Sequence, residues 1–169
     1  VAMLAALRHQ ELISGLAVVD MAPRGYPPST SDELICAMRD LNLGNIHSRA
    51  QAEEALLRAV PQAALRQLAL QNLRLEGQSY RWEPNIDLLA ASMETIRAWP
   101  QTSARYLGPT LWLRGANSAY TDDSDIESMR RHFPNVLAVV IPHAGHQLHV
   151  DQPQMTVAAL NGFAAQLET

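Results

Sequence analysis

Pro142-His143-Ala144-Gly145-His146-Gln147-Leu148-His149-Val150-Asp151 places three of the chain's six histidines within one short stretch near its end. The run before it, Val136 to Ile141, is apolar and β-branched as a buried strand would be. The run after it, Gln152 to Leu167, has helical spacing, so the histidines occupy a loop between two ordered elements. Unperturbed imidazole titrates near pH ~6.5, and a loop held by a strand and a helix can aim such a group. His146 is therefore read as a general base. A base of this kind needs an acid to orient it, a nucleophile to activate and an oxyanion hole.

Working outward, Pro109 to Gly115 is a second apolar run, followed by helical spacing from Asp122 to Phe133. A third, Gly15 to Asp20, is almost wholly apolar and closes on a carboxylate. Continuous apolar runs of this length suit strands buried on both faces of a parallel sheet. Strand, helix, strand, helix with short links implies an α/β class with right-handed crossovers. An aspartate at the C-terminal end of such a strand stands where open α/β sheets carry their chemistry, although Asp20 could equally cap a turn before Pro23. Asp151 with Gln154 has the spacing to cap the closing helix, and Pro153 suits its first turn.

Between the first two strands the pattern changes. Pro23 to Ser29 is turn-rich, and the chain is then helical to about Ala104. Thr30 with Glu33, and Ser48 with Gln51, have capping-box spacing. Helical stripes run through Leu34, Ile35, Met38 and Leu41, through Leu56, Leu57 and Val60, and from Ala63 to Leu75. Gly77 to Pro84 reads as a short extended segment, and Ile86 to Trp99 as a last helix. Residues 23–104 are thus predicted to be a helical lid or cap inserted into a partial core of 1–22 and 105–169. Val1 to Gln10 reads as the second half of a helix, which suggests that an N-terminal part of a larger protein lies before it.

The 169 residues, 47% hydrophobic, can bury one domain's core. A net charge of −4 and only 18% charged residues give no basic footprint, so no nucleic-acid partner is expected. No run approaches the ~20 apolar residues of a membrane span, so no membrane is expected either. The one cysteine, Cys36, cannot form a disulfide within the chain, is read as a buried thiol, and points to a reducing, cytoplasmic setting. His143, His146, His149 and Asp151 could be read as zinc ligands, but no second ligand cluster accompanies them and Asp151 serves better as a cap; no metal and no cofactor are expected. No Gly-x-Ser-x-Gly turn is present, and the serines of Ser14-Gly15, Gln78-Ser79 and Asn117-Ser118 lie in other settings. Tyr26, Trp82 and Tyr120 are candidates for lining a substrate pocket, although aromatics at such places also serve as core.

Four stretches in order carry a resemblance: Val18-Val19-Asp20-Met21-Ala22-Pro23; Gln71-Asn72-Leu73 with Tyr80-Arg81-Trp82 and Asn85-Ile86-Asp87; Gly115-Ala116-Asn117-Ser118-Ala119-Tyr120; and Ala144-Gly145-His146 with His149. Together they resemble the small bacterial and mitochondrial esterases of the α/β-hydrolase superfamily, which cleave short acyl esters and thioesters. The chain is similar to the C-terminal two thirds of such an enzyme. The resemblance implies that Asp20 is the triad acid, with Asp122 or Asp123 as substitutes, and that Ser118 stands where most of the superfamily carries the acid. It implies a nucleophile serine a few residues before Val1, with the oxyanion hole also in that missing segment, on the same or a separate chain. These residues alone would then be inactive and would expose a sheet edge. Gln147 departs from relatives that carry an aromatic residue beside the histidine. The competing reading is a non-catalytic, hydrolase-like module that binds a ligand or partner.

Overall fold

The three apolar runs expected to be strands do form strands, and their backbone groups pair in one parallel ladder. The structure is a computed structural model and describes residues 1–167. Its elements are α1 (Ala2–Arg8), β1 (Leu16–Val19), α2 (Thr30–Asp40), α3 (Arg49–Leu57), α4 (Ala63–Gln71), β2 (Leu73–Glu76), β3 (Ser79–Trp82) and α5 (Ile86–Arg97). They continue as β4 (Thr110–Gly115), α6 (Asp125–His132), β5 (Val136–Ile141), α7 (Leu148–Asp151) and α8 (Pro153–Leu167). The chain divides into a sheet unit, residues 1–24 with the chain from Pro100 on, and a helical unit, Gly25–Trp99.

In the sheet unit three parallel strands lie in the order β1-β4-β5, with Leu16 opposite Thr110 and Thr110 opposite Val136. Central β4 is buried along nearly its whole length, whereas β1 alternates between buried and exposed residues. The expectation that β1 and β5 are buried on both faces is thus corrected: among the described residues both are outer strands, with Ala17 and Val19 exposed on β1 and Leu137, Ala138 and Val140 exposed on β5. Leu111, Leu113, Ile141, Ala144, Leu148 and Phe163 form the core under the histidine loop. Trp112 is fully buried, and its indole N–H donates to Met21 O at 3.0 Å, which fixes the chain just beyond β1. The α6 helix begins at Asp125 rather than Asp122, because Asp122 closes a side-chain turn on Ser124 instead.

In the helical unit Leu34, Met38, Leu56, Leu70, Leu73 and Ile86 share a core. The first capping box falls one residue earlier than expected: Ser29 caps α2 and Asp32 answers it, while Asp32 is also paired with Arg97. Ser48 does accept from Gln51 N at 3.2 Å, but Gln51 returns its bond to His47 N at 2.8 Å. The helix expected to reach Leu75 stops at Gln71, and β2 pairs with β3 as a hairpin, Leu73 opposite Trp82. Gly77, at φ +63°, supplies the turn that lets this pairing override helical spacing. The last helix ends at Arg97. Cys36 is exposed, contrary to expectation, because Leu34 and Met38 face the core and a residue midway between them points to the other side of the helix. No helix among the described residues is long and apolar enough to cross a membrane.

Candidate active site

The site is assembled at the C-terminal ends of the three parallel strands. Asp20 follows β1 with φ +50°, a left-handed conformation that aspartate tolerates better than most residues. Its amide still donates to Leu113 O at 2.7 Å, so the turn away from the sheet begins only after it. The side chain is fully buried. An isolated carboxylate would be costly to bury, and here four donors satisfy it. Gly115 N at 3.1 Å and the Thr121 hydroxyl at 2.7 Å donate to Oδ1. The Ser118 hydroxyl and His146 Nδ1, the latter at 2.7 Å, meet Oδ2. The strained backbone is thus held by what the carboxylate gathers.

Gly115, ending β4, has no room for a side chain. A Cβ there would stand 2.3 Å from Gly145 O and 2.5 Å from Ala144 O. That close approach brings the histidine loop down onto the sheet: Ala116 N donates to Ile141 O at 3.0 Å and Asn117 N to Ala144 O at 2.9 Å. The loop turns through His143 at φ +58°, and Gly145 N donates to Asp151 Oδ2 at 2.8 Å. The Asp151 carboxylate is therefore not the cap of α8; it lies within α7 and ties that helix back to the loop carrying His146. Among the described residues no group of three or more His, Cys, Asp or Glu side chains is arranged to hold a metal ion.

The His146 side chain is 42% exposed, although its Nδ1 reaches a wholly buried carboxylate. A carboxylate only accepts, so Nδ1 carries the proton, and in the neutral ring Nε2 is left with a lone pair. The Tyr120 ring lies on the imidazole with centroids 3.8 Å apart and planes within 18°. Asp20, His146 and Tyr120, far apart in the sequence, therefore meet. Tyr26 and Trp82 belong to the helical unit, where both are half-buried and the Trp82 indole N–H donates to Met38 O at 2.8 Å. The two substitute acids are engaged elsewhere: Asp122 accepts from Ser124, and Asp123 pairs with Arg114. The hydroxyl and amide of Ser124 hold the Asp122 carboxyl below its ordinary pKa.

Three further residues complete the arrangement. Ser118, standing where a carboxylate was the alternative, donates to Asp20 instead, and Thr121 joins it three residues later. Arg24, four residues past Asp20, donates from Nε to Asp125 at 2.8 Å and from Nη2 to Tyr120 O at 2.9 Å. Neither Thr121 nor Arg24 carries a sequence signal for its role, since their partners lie 101 and 96 positions away.

Comparison with known proteins bears on the family and the fold. Residues 1–153 match the family described as alpha/beta hydrolase fold. The chain is 37% identical over 169 residues to the sn-1-specific diacylglycerol lipase ABHD11 of Mus musculus, covering 97% of this chain and 55% of that protein. It is 26% identical over 151 residues to Esterase YbfF of Escherichia coli, covering 89% of this chain and 58% of the esterase. A solved structure described as a marine microorganism esterase superposes with a TM-score of 0.87 at 30% identity, covering 96% of this chain and 65% of that one. The chain thus spans about half the length of the curated relatives it matches. With its parallel sheet, its strand-end carboxylate and histidine, and a family match over most of its length, this chain belongs to the α/β-hydrolase fold family.

Proposed function

We propose that this chain supplies the acid and base of a serine hydrolase that cleaves short carboxylic esters or thioesters through an acyl-enzyme. The observation that carries the proposal is the 2.7 Å bond from His146 Nδ1 to buried Asp20, made by a side chain that is still 42% exposed. In the first half-reaction His146 Nε2 takes the proton of a serine hydroxyl as that oxygen bonds the substrate carbonyl carbon. The C–O or C–S bond then breaks, and the alcohol or thiol leaves with the proton that His146 returns. In the second half, water attacks the acyl-serine, His146 accepts and returns a proton in the same way, and a carboxylic acid departs. Asp20 stays ionised throughout, holding the tautomer and balancing the transient imidazolium. The serine and the oxyanion-hole amides come from a segment outside these residues, where the family carries its strand-to-helix nucleophile turn. That the relatives are named lipase and esterase supports the reading.

The test uses the full-length protein. A fluorophosphonate should label one serine, and His146→Ala should lower hydrolysis of p-nitrophenyl butyrate and of a butyryl thioester by about four orders of magnitude or more. A folded His146→Ala protein that hydrolyses both at the parental rate would remove the base and the proposal with it.

A further inference from the structure

We propose that Tyr120 is a positioning residue for His146, and that the Asp20 carboxylate sets both halves of the Tyr120–His146 stack. This rests on reading His146 as the general base. One hydrogen bond from Nδ1 fixes where that nitrogen sits but leaves the imidazole free to swing about the N–H···O axis. Such a swing carries Nε2 away from any nucleophile, and misplacement of about 1 Å at a reacting group is enough to slow catalysis ~100-fold. The Tyr120 ring, 3.8 Å away and within 18° of parallel, blocks that swing by lying flat on one face.

The ring can do this because its own backbone is anchored at both ends. Tyr120 N donates to the Ser118 hydroxyl oxygen at 3.0 Å, and Tyr120 O accepts from Arg24 Nη2 at 2.9 Å. Arg24 is itself held by Asp125, whose side chain is only 6% exposed and whose other oxygen accepts from Asp122 N at 3.1 Å. Ser118 and Thr121 bracket Tyr120 in the sequence, and both hydroxyls donate to Asp20, the same carboxylate that receives His146. One buried group therefore sets the imidazole and also the segment that carries its platform. A pocket-lining tyrosine would need neither this coincidence nor a ring face already covered by the base.

The experiment compares Tyr120→Leu, Tyr120→Phe and His146→Ala in the full-length protein, with Tyr120→Met as a second non-aromatic replacement should the leucine variant unfold. Tyr120→Leu is expected to lower kcat about 3- to 10-fold, the range of an aromatic pair's worth, with KM within about twofold of the parent. Tyr120→Phe keeps the ring and is expected to restore the parental kcat. The His146 ring protons should be shifted upfield by the stacked ring in the parent and in Tyr120→Phe, and should lose that shift in Tyr120→Leu. The proposal falls if the non-aromatic variants keep the parental kcat, if their loss lies in KM, or if Tyr120→Phe loses as much as they do. His146→Ala separates the two levels: an active His146→Ala protein sinks the base assignment itself, whereas an inactive one with a silent Tyr120→Leu sinks only the positioning role.

Discussion

The two units use their polar side chains in opposite ways. In the helical unit many act close to home, although the Asp32–Arg97 pair and the bond from Trp82 to Met38 O span 65 and 44 positions. Ser29, Ser48 and Asn85 cap the helices that follow them, and the Arg66 guanidinium satisfies the carbonyls of Val60 and Pro61. In the sheet unit the Gly115 amide, the Ser118 and Thr121 hydroxyls and the His146 ring travel 95 to 126 positions to converge on one carboxylate. Local bonds finish an element; convergent ones leave a charged group buried and aimed. A folded protein has no need to gather four donors on an interior carboxylate for stability alone, since an apolar side chain of similar volume would serve as well. Convergence is thus the mark by which the strand ends, rather than the helices, are the place to look for chemistry.

The contrast breaks most visibly at Asp20. Asp20→Asn keeps the shape but replaces one acceptor oxygen with a donor. Two of the four incoming donors lose a partner, and the imidazole is turned towards its other tautomer. In full-length protein kcat should fall about 10³- to 10⁴-fold, with ~1–3 kcal/mol of stability lost in denaturant titration. A kcat within tenfold of the parent would mean that the convergence is structural and that the strand ends are like the helical unit after all. Gly115→Ala tests the same point through sterics. Its methyl would meet the Gly145 and Ala144 carbonyl oxygens, which are backbone atoms and cannot swing aside. The loop bearing His146 must lift, and kcat is expected to drop about 100-fold. Steady-state kinetics beside a thermal melt would check it; a well-folded variant with unaltered kcat would show that the loop's seat on β4 does not set the base.

How much of this could be read from residues alone follows the same division. The three strands were legible because a parallel sheet demands long apolar runs, and β4 satisfies that demand at nearly every position. That Asp20 and His146 stand just beyond strand ends was legible from the apolar runs before them, and the resemblance of four ordered stretches singled them out. What escaped is what depends on partners chosen by the fold. Thr121 and Arg24 look like any loop threonine and arginine until a carboxylate or a carbonyl about a hundred positions away is brought to them. Asp151 has the spacing of a cap and is taken instead by Gly145 N. The extended segment from Gly77 to Pro84 was legible and holds β3, but its partner β2 was hidden because Leu73 and Leu75 continue a helical spacing that only cross-strand pairing with Trp82 and Tyr80 overrides. Even the local readings slip by a residue where two frames compete, as Ser29 with Asp32 does against Thr30 with Glu33.

The smallest expected effect bears on the helical side. Asn85 caps α5 by accepting from Leu88 N at 3.0 Å, a bond spanning three residues. Truncation in Asn85→Ala leaves one amide of the first turn to water, a loss of about 1 kcal/mol. In a protein of ordinary domain size that is ~2–4 °C in Tm. If the helical unit's polar groups serve only their own helices, kcat for the butyrate ester should stay within about twofold of the parent while Tm drops. A stability loss with unchanged kcat here, set against the kcat loss at Asp20, would separate finishing bonds from aiming bonds by measurement. A fall in kcat as large as that of Gly115→Ala would show instead that a helix cap in this unit reaches the chemistry, and the division between the two regions would have to be redrawn around α5.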